Sequence, residues 1–125
     1  MSKLKNEIKA CMRDLHKEGP DILIARFCFP KDFLGFKGHF PAKPILPGVC
    51  KIQAAVLMLE EIKRKPVRLK EIILAKFFAP VSFSEEIIFS LKESSNYDCE
   101  EDIDVLVNSN STKIAQLRLK VAIEE

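Results

Sequence analysis

The sequence predicts an α+β chain: a curved antiparallel sheet of about six strands wrapped around one long central helix. Two stretches and one packing argument carry this. From Val49 to Ile62 run good helix formers with apolar side chains at Val49, Ile52, Val56 and Leu59, and also at Ala55, Leu57 and Met58. Such a helix is apolar on more than one face and needs cover on more than one side. After Pro66 the chain reads almost purely as strand. One helix cannot cover both faces of a large parallel sheet, so an antiparallel sheet curled around it is the economical arrangement.

Taken in order, Leu4 to Met12 shows a weak alternation, with Leu4, Ile8 and Cys11 or Met12 as inward candidates, and is expected as a strand ending at the turn-like HKEGPD. Asp21 to Phe29 is a stronger strand, β-branched and aromatic, closed by Pro30 and expected to pair with the first in a hairpin. Phe33, Leu34 and Phe36 follow as expected wall or interface residues. The long helix ends in basic residues at Pro66, where cations complement the helix dipole. Val67 to Ala79, Glu86 to Leu91, Asp102 to Val107 and Lys113 to Ile123 supply four more strands, with SSNYD and NSNST as polar turns.

At 125 residues the chain is expected to be a single domain, 1–125, without repeat or linker. Its 47% apolar and 30% charged residues fit a folded, soluble protein, and a formal net charge of +2 argues against nucleic acid. Four widely spaced cysteines and two histidines offer no zinc spacing, so neither a metal nor another cofactor is expected. The N-terminal MSKLKNEIKA has no apolar signal core, and no stretch reaches the ~18 apolar residues of a membrane span. Cytoplasmic localisation with reduced thiols and no membrane partner is the expectation.

Chemistry concentrates in Gly38 to Lys65, a loop with one histidine that runs into the helix. Pro41, Pro44 and Pro47 remove backbone donors and restrict φ, making a stiff loop able to hold His39 in one place. Gly38 and Gly48 lack a Cβ, so backbone N–H groups there can approach a ligand closely. At the helix start they combine with the positive end of the dipole, which suits a carbonyl oxygen becoming negative.

The run Gly38-His39-Phe40-Pro41, then Pro44-Ile45-Leu46-Pro47-Gly48-Val49, resembles the GHFPxxPxxPGV signature of the β-hydroxyacyl-acyl-carrier-protein dehydratases. The order of strands, histidine loop, central helix and long strands is similar as well. So is Ala75 to Val81, which looks like that family's strand running into a proline. The resemblance implies the hotdog fold, a homodimer with sheets joined edge to edge, and an acyl carrier protein or coenzyme A thioester as substrate. It further implies that His39 takes the substrate's α-proton and that Gly48 and Val49 lie at the oxyanion end. An acidic residue five positions after the glycine of PGV handles the departing hydroxyl in that family, and here that position is Gln53. An amide cannot deliver a proton at neutral pH. Glu60 and Glu61 stand roughly 10 to 12 Å further along the helix, too far to replace it. Gly38, Phe40, Pro47, Gly48, Val49 and Ile52 are the expected substrate-binding residues, with His39 and Gln53 catalytic.

Each of these residues also has a plain structural reading. His16 lies in a charged stretch and is expected to be solvated. Cys50, in the first turn of the helix, is a nucleophile candidate by position and a packing residue by its apolar neighbours. Gln53 either orients substrate or water or is satisfied inside a dimer. The cations from Lys63 to Lys70 form either a solvated helix end or a docking patch for an acidic carrier. Three functions stay open: a dehydratase, a hotdog thioesterase in which Gln53 positions water, and a non-catalytic acyl-thioester-binding subunit of a heterodimer.

Overall fold

A computed structural model describes residues 3–36, 46–94 and 100–124. Helix α1 (Lys3–Ala10) leads into β1 (Met12–Lys17) and β2 (Ile22–Cys28), and a short 3-10 turn covers Leu34–Phe36. Helix α2 (Gly48–Lys63) follows, then β3 (Val67–Phe77), β4 (Glu86–Glu93), β5 (Glu100–Ser109) and β6 (Thr112–Ile123). All six strands join one sheet in the order β1-β2-β4-β5-β6-β3, antiparallel throughout. The expected six strands and one long helix are present, with the helix inserted after the second strand.

Period-two alternation puts Leu23, Ala25 and Phe27 of β2, Ile87, Phe89 and Leu91 of β4, Ile103, Val105 and Val107 of β5, and Leu117, Leu119 and Val121 of β6 in the core. Ala54 to Leu59 of α2 are all buried in the same core, six consecutive positions covering every face of the helix. This is what the multi-faced apolar pattern required. Among the described residues no helix is long and apolar enough to cross a membrane.

The first segment differs from its expectation: Lys3–Ala10 is a helix, and the strand begins only at Met12. Leu4, Ile8 and Cys11 are spaced by four and three, which is the period of a helix face rather than of a pleat. Ile8 is fully buried, and the polar positions between are tied to α2, with Lys9 Nζ 2.6 Å from Glu61 Oε1 and Lys5 Nζ 3.6 Å from Glu60 Oε1. Glu7 Oε1 also accepts the Leu34 N–H at 2.9 Å. The hairpin partner of β2 is therefore Met12–Lys17, with a bulge between Arg13 and His16 where Asp14 takes a positive φ of 56°. His16 is exposed and ties back to the Asp14 carbonyl at 2.7 Å.

Phe33 and Phe36 need no second subunit to cover them. They join the core through ring contacts that run from Phe89 and Phe27 to Phe29, Phe33 and Phe36, with Phe29 and Phe33 centroids 4.7 Å apart. Gly35 belongs to this packing, since a Cβ there would run into the Phe33 ring. Leu34 is half-buried.

At the opposite sheet edge, β3 pairs only with β6, and its register shifts twice along the way. Only Val67 of this strand is buried; Leu69, Ile72, Ile73 and Phe77 are exposed, as is Phe78 just beyond it. The sheet thus has an open, apolar edge beside the start of α2.

Candidate active site

The predicted site has its described half at the N-terminal end of α2. Pro47 stands before the helix in an extended conformation, and among the described residues no side chain caps the first turn. No acidic residue lies in that turn either, so no carboxylate of the turn itself competes for its N–H groups or for the positive end of the dipole. The Cys50 N–H bonds the Pro47 carbonyl at 3.1 Å. Upstream, the Leu46 N–H bonds the Val81 carbonyl at 2.9 Å, which anchors the residue before Pro47 to the segment between β3 and β4.

Gly48 has a reason in packing as well as in chemistry. A Cβ there would come 2.7 Å from Cζ of Phe77, so the ring at the end of β3 occupies the side-chain space of the glycine. Val49 next to it is 63% exposed, while Ile52 and Gln53, one turn on, are half-buried. Gly48, Val49, Ile52 and Gln53 therefore share the first turn and a half of one helix, with Pro47 at its mouth. Gly38, His39 and Phe40, which carry the other half of the predicted site, lie outside the described residues.

Cys50 is almost fully buried, and burial pushes its thiol above the ordinary range, with the neighbouring Lys51 charge pulling weakly the other way. Its Sγ is among the atoms a side chain at position 35 would meet. The packing reading fits this cysteine and the nucleophilic one does not, because the thiolate is the reactive form.

Glu60 and Glu61 are engaged elsewhere. Glu60 Oε2 accepts the Val67 N–H at 2.9 Å, Glu60 Oε1 faces Lys5, and Glu61 faces Lys9. Lys63, expected as part of a solvated helix end, is drawn inward to Glu93 at 3.2 Å and Glu101 at 3.4 Å, whereas Arg64, Lys65, Arg68 and Lys70 are exposed.

Two residues of this end of the molecule escaped the sequence reading. Phe77 was visible only as one of several strand phenylalanines. Lys51 is 3% exposed; its Nζ donates to the Leu46 carbonyl at 3.3 Å and sits 5.1 Å from the centroid of the Phe77 ring. Burial pushes its pKa down. A signal existed for Lys51: a lysine in the first turn of a helix that carries apolar residues on every side.

Among the described residues no three of His, Cys, Asp and Glu are grouped so as to hold a metal ion. A groove of about 400 Å³ over β2, β4, β5 and β6 is lined by Ile22, Ser90, Asp104, Leu106, Gln116 and Arg118 among others, and it contains none of the predicted site residues.

Comparison with known proteins defines the class first. The chain superposes on a chain of the dehydratase heterocomplex ApeI:P from Xenorhabdus doucetiae with a TM-score of 0.77, covering 89% of this chain and 96% of that one at 15% identity. It superposes on smu.793 from Streptococcus mutans UA159, solved bound to acetyl CoA, with a TM-score of 0.69 at 6% identity, covering 89% and 87%. At such identities the likeness is one of fold, and the fold is the hotdog. The activity class comes from sequence: 101 residues are 31% identical to the 3-hydroxyacyl-(acyl-carrier-protein) dehydratase FabZ of Sulfurovum sp. (strain NBC37-1), covering 70% of this chain and 68% of that one. A family model described as ApeI-like, ApeI dehydratase, matches residues 15–117, and this chain belongs to that family of hydro-lyases.

Proposed function

We propose that this protein removes water from β-hydroxyacyl thioesters carried on acyl carrier protein. The reading is supported most directly by the first turn of α2, where uncapped N–H donors at Gly48 and an exposed Val49 stand one turn before Gln53. The thioester oxygen takes up the negative charge as the α-C–H bond breaks, and donors aimed at that oxygen lower the barrier. His39 accepts the α-proton; the Cα–Cβ double bond forms as the β-C–O bond breaks. The departing hydroxyl needs a proton to leave as water. The imidazolium of His39 returns it, either directly or through a water held by the Gln53 amide. Gly38, Phe40, Pro47 and Ile52 line the acyl-pantetheine path. The Sulfurovum relative, whose name specifies acyl carrier protein, favours that carrier. The acetyl CoA in the Streptococcus structure supports coenzyme A as the other carrier, since both present a pantetheine thioester.

The active unit in this reading is a homodimer joined along the open β3 edge, where an apolar edge strand paired on one side only is a template for another copy. Its interface exceeds the ~1,200 Å² of a weak encounter, and sedimentation that finds a stable monomer at micromolar concentration overturns it. The Xenorhabdus heterocomplex favours a second assembly, in which a different chain pairs with this one and supplies the missing acid.

Incubation with β-hydroxyacyl thioesters, following both enoyl product and free thiol, tests the function. Enoyl product supports the dehydratase, free thiol alone points to a thioesterase, and binding without either product points to a non-catalytic subunit. Gln53→Glu then adds a carboxyl at the position of the usual acid. General acid catalysis contributes about 10²- to 10⁴-fold, so dehydration rises in a well-folded Gln53→Glu protein; a folded variant with no gain removes the two-residue dehydratase reading.

A further inference from the structure

The one strongly buried cation of the described site has no part in the scheme above. Lysine is almost never fully buried unless paired, and taking an ammonium out of water costs several kcal/mol. Lys51 is buried at 3% exposure, and among the described residues the partners that face it are a single backbone carbonyl and the ring of Phe77. An ammonium has three N–H donors, and the Leu46 carbonyl takes one of them. Its position adds a further cost, because a cation in the first turn of a helix opposes the dipole. For filling space alone, a methionine would serve without these penalties.

The unfavourable terms become favourable once negative charge arrives at the helix start. We propose that Lys51 is a positioning residue of the thioester site. Its ammonium ties the end of the proline loop to the first turn of α2 through the Leu46 carbonyl, and it holds a fixed positive charge behind the Gly48 and Val49 donors. The two roles use the same geometry. Leu46 is held from one side by its N–H on Val81 and from the other by Lys51 on its carbonyl, so Pro47 and Gly48 enter the helix from a clamped peptide. Phe77, which blocks the Cβ position of Gly48, also roofs the ammonium and keeps water from competing with it. Enolate-like charge on the thioester oxygen then meets a preorganised cation in a low-dielectric setting, where such charges act most strongly.

The inference rests on the reading of the helix start as the oxyanion end, and the test separates the two. Removal of a direct oxyanion donor costs about 10²- to 10³-fold in kcat; Lys51 stands one layer behind, so Lys51→Met is expected to lower kcat about 10-fold or more with KM changed less than about twofold. Lys51→Arg keeps the charge and restores most of the rate. Lys51→Gln keeps a neutral donor for Leu46 and does not. The pH profile adds a readout that a packing role would not move. Burial lowers the lysine's pKa; among the described residues the titratable group that opposes this is Cys50, and only as a thiolate, a form that its own burial disfavours. As pH rises through that lowered pKa, the ammonium is lost and kcat falls. In Lys51→Arg this alkaline fall is absent, since the guanidinium stays charged.

Thermal unfolding of each variant accompanies the kinetics. If Lys51→Met does not fold, the Arg and Gln variants carry the comparison. An active wild-type enzyme whose Lys51→Met or Lys51→Gln variant retains full kcat, or whose alkaline limb survives in Lys51→Arg, overturns the role of Lys51 alone. A wild-type protein that neither binds nor converts any acyl thioester overturns the functional reading, and this role with it.

Discussion

The two ends of α2 are built on opposite rules. At the C-terminal end nearly every polar group has a partner. Arg64 takes a left-handed conformation and returns its N–H to the Glu60 carbonyl at 2.9 Å, Glu60 receives the Val67 N–H, and Lys63 bridges Glu93 and Glu101. At the N-terminal end, among the described residues, there is no side-chain cap, no acidic residue in the first turn, a glycine pressed by Phe77, an exposed valine and a buried lysine whose charge works against the helix. A Ser, Thr, Asp or Asn cap there would be worth about 1 kcal/mol, and the chain has Pro47 instead. The difference teaches how stability and the proposed function separate along one helix: one end is saturated by its own chain, and the other, among the described residues, carries no side-chain cap and is the end where the proposed function seats the thioester.

That contrast can be broken first at the motif. His39→Ala is expected to lower dehydration by about 10²- to 10⁴-fold, the range of a lost general base, with an unchanged unfolding midpoint. Steady-state kinetics beside thermal unfolding checks both halves, and unaltered turnover with an unaltered pH profile would show that the histidine has been misassigned.

The saturated end should respond in the reverse way. Lys63→Met takes the cation from two carboxylates, one of them with a side chain only 2% exposed. Breaking a fully buried pair costs 3–5 kcal/mol; Lys63 keeps 23% of its side chain in water, so the expected loss is smaller, about 2 kcal/mol of unfolding free energy. Denaturant titration measures this, while kcat per folded molecule stays at the wild-type level. A variant as stable as wild type would mean that the bridge is screened and the C-terminal end is not the anchor described.

The smallest expected effect sharpens the same end through pH. Burial, and then the Glu101 carboxylate, raise the pKa of Glu93, with Lys63 opposing. An acid whose folded pKa is raised holds its proton more tightly when folded. Its contribution is therefore present at low pH and is lost as pH climbs from the unfolded value of about 4.3 through the raised folded one. Glu93→Gln mimics the protonated form, so it should be modestly more stable than wild type at pH 7, by less than the Lys63→Met loss. The advantage should shrink as pH falls toward the unfolded value. Unfolding curves at several pH values decide this; a variant less stable than wild type at neutral pH would show that the Lys63 attraction outweighs burial.

Much of the architecture was legible because it is local and periodic. The last two strands declared themselves through alternation, the earlier ones through apolar runs rich in β-branched and aromatic residues bounded by prolines and turns, and α2 through an apolar run too broad for one face. Lys3–Ala10 differs from its expectation because Leu4, Ile8 and Ala10, at even spacings, fit a pleat as well as a helix; Cys11 just beyond breaks that pattern in favour of a helix face, and burial of Ile8 and the ion pairs to Glu60 and Glu61 agree with it. Phe33 and Phe36 looked like interface for a similar reason: hydrophobicity says that a ring will be covered, not by what.

By itself, the order of residues determined the spacing of the motif, the helix that follows it, and the amide at Gln53 where a carboxyl is usual in the family it resembles. Those are properties of neighbours along the chain. Only the tertiary structure decided that Phe77 closes over Gly48, that Lys51 is buried beneath the same ring, and that β3 stands as an open apolar edge next to them. Burial and charge depend on what the fold brings within a few ångströms. Phe77 reaches the helix start only because β3 runs back along the sheet edge for eleven residues, and no local pattern encodes where such a strand will end.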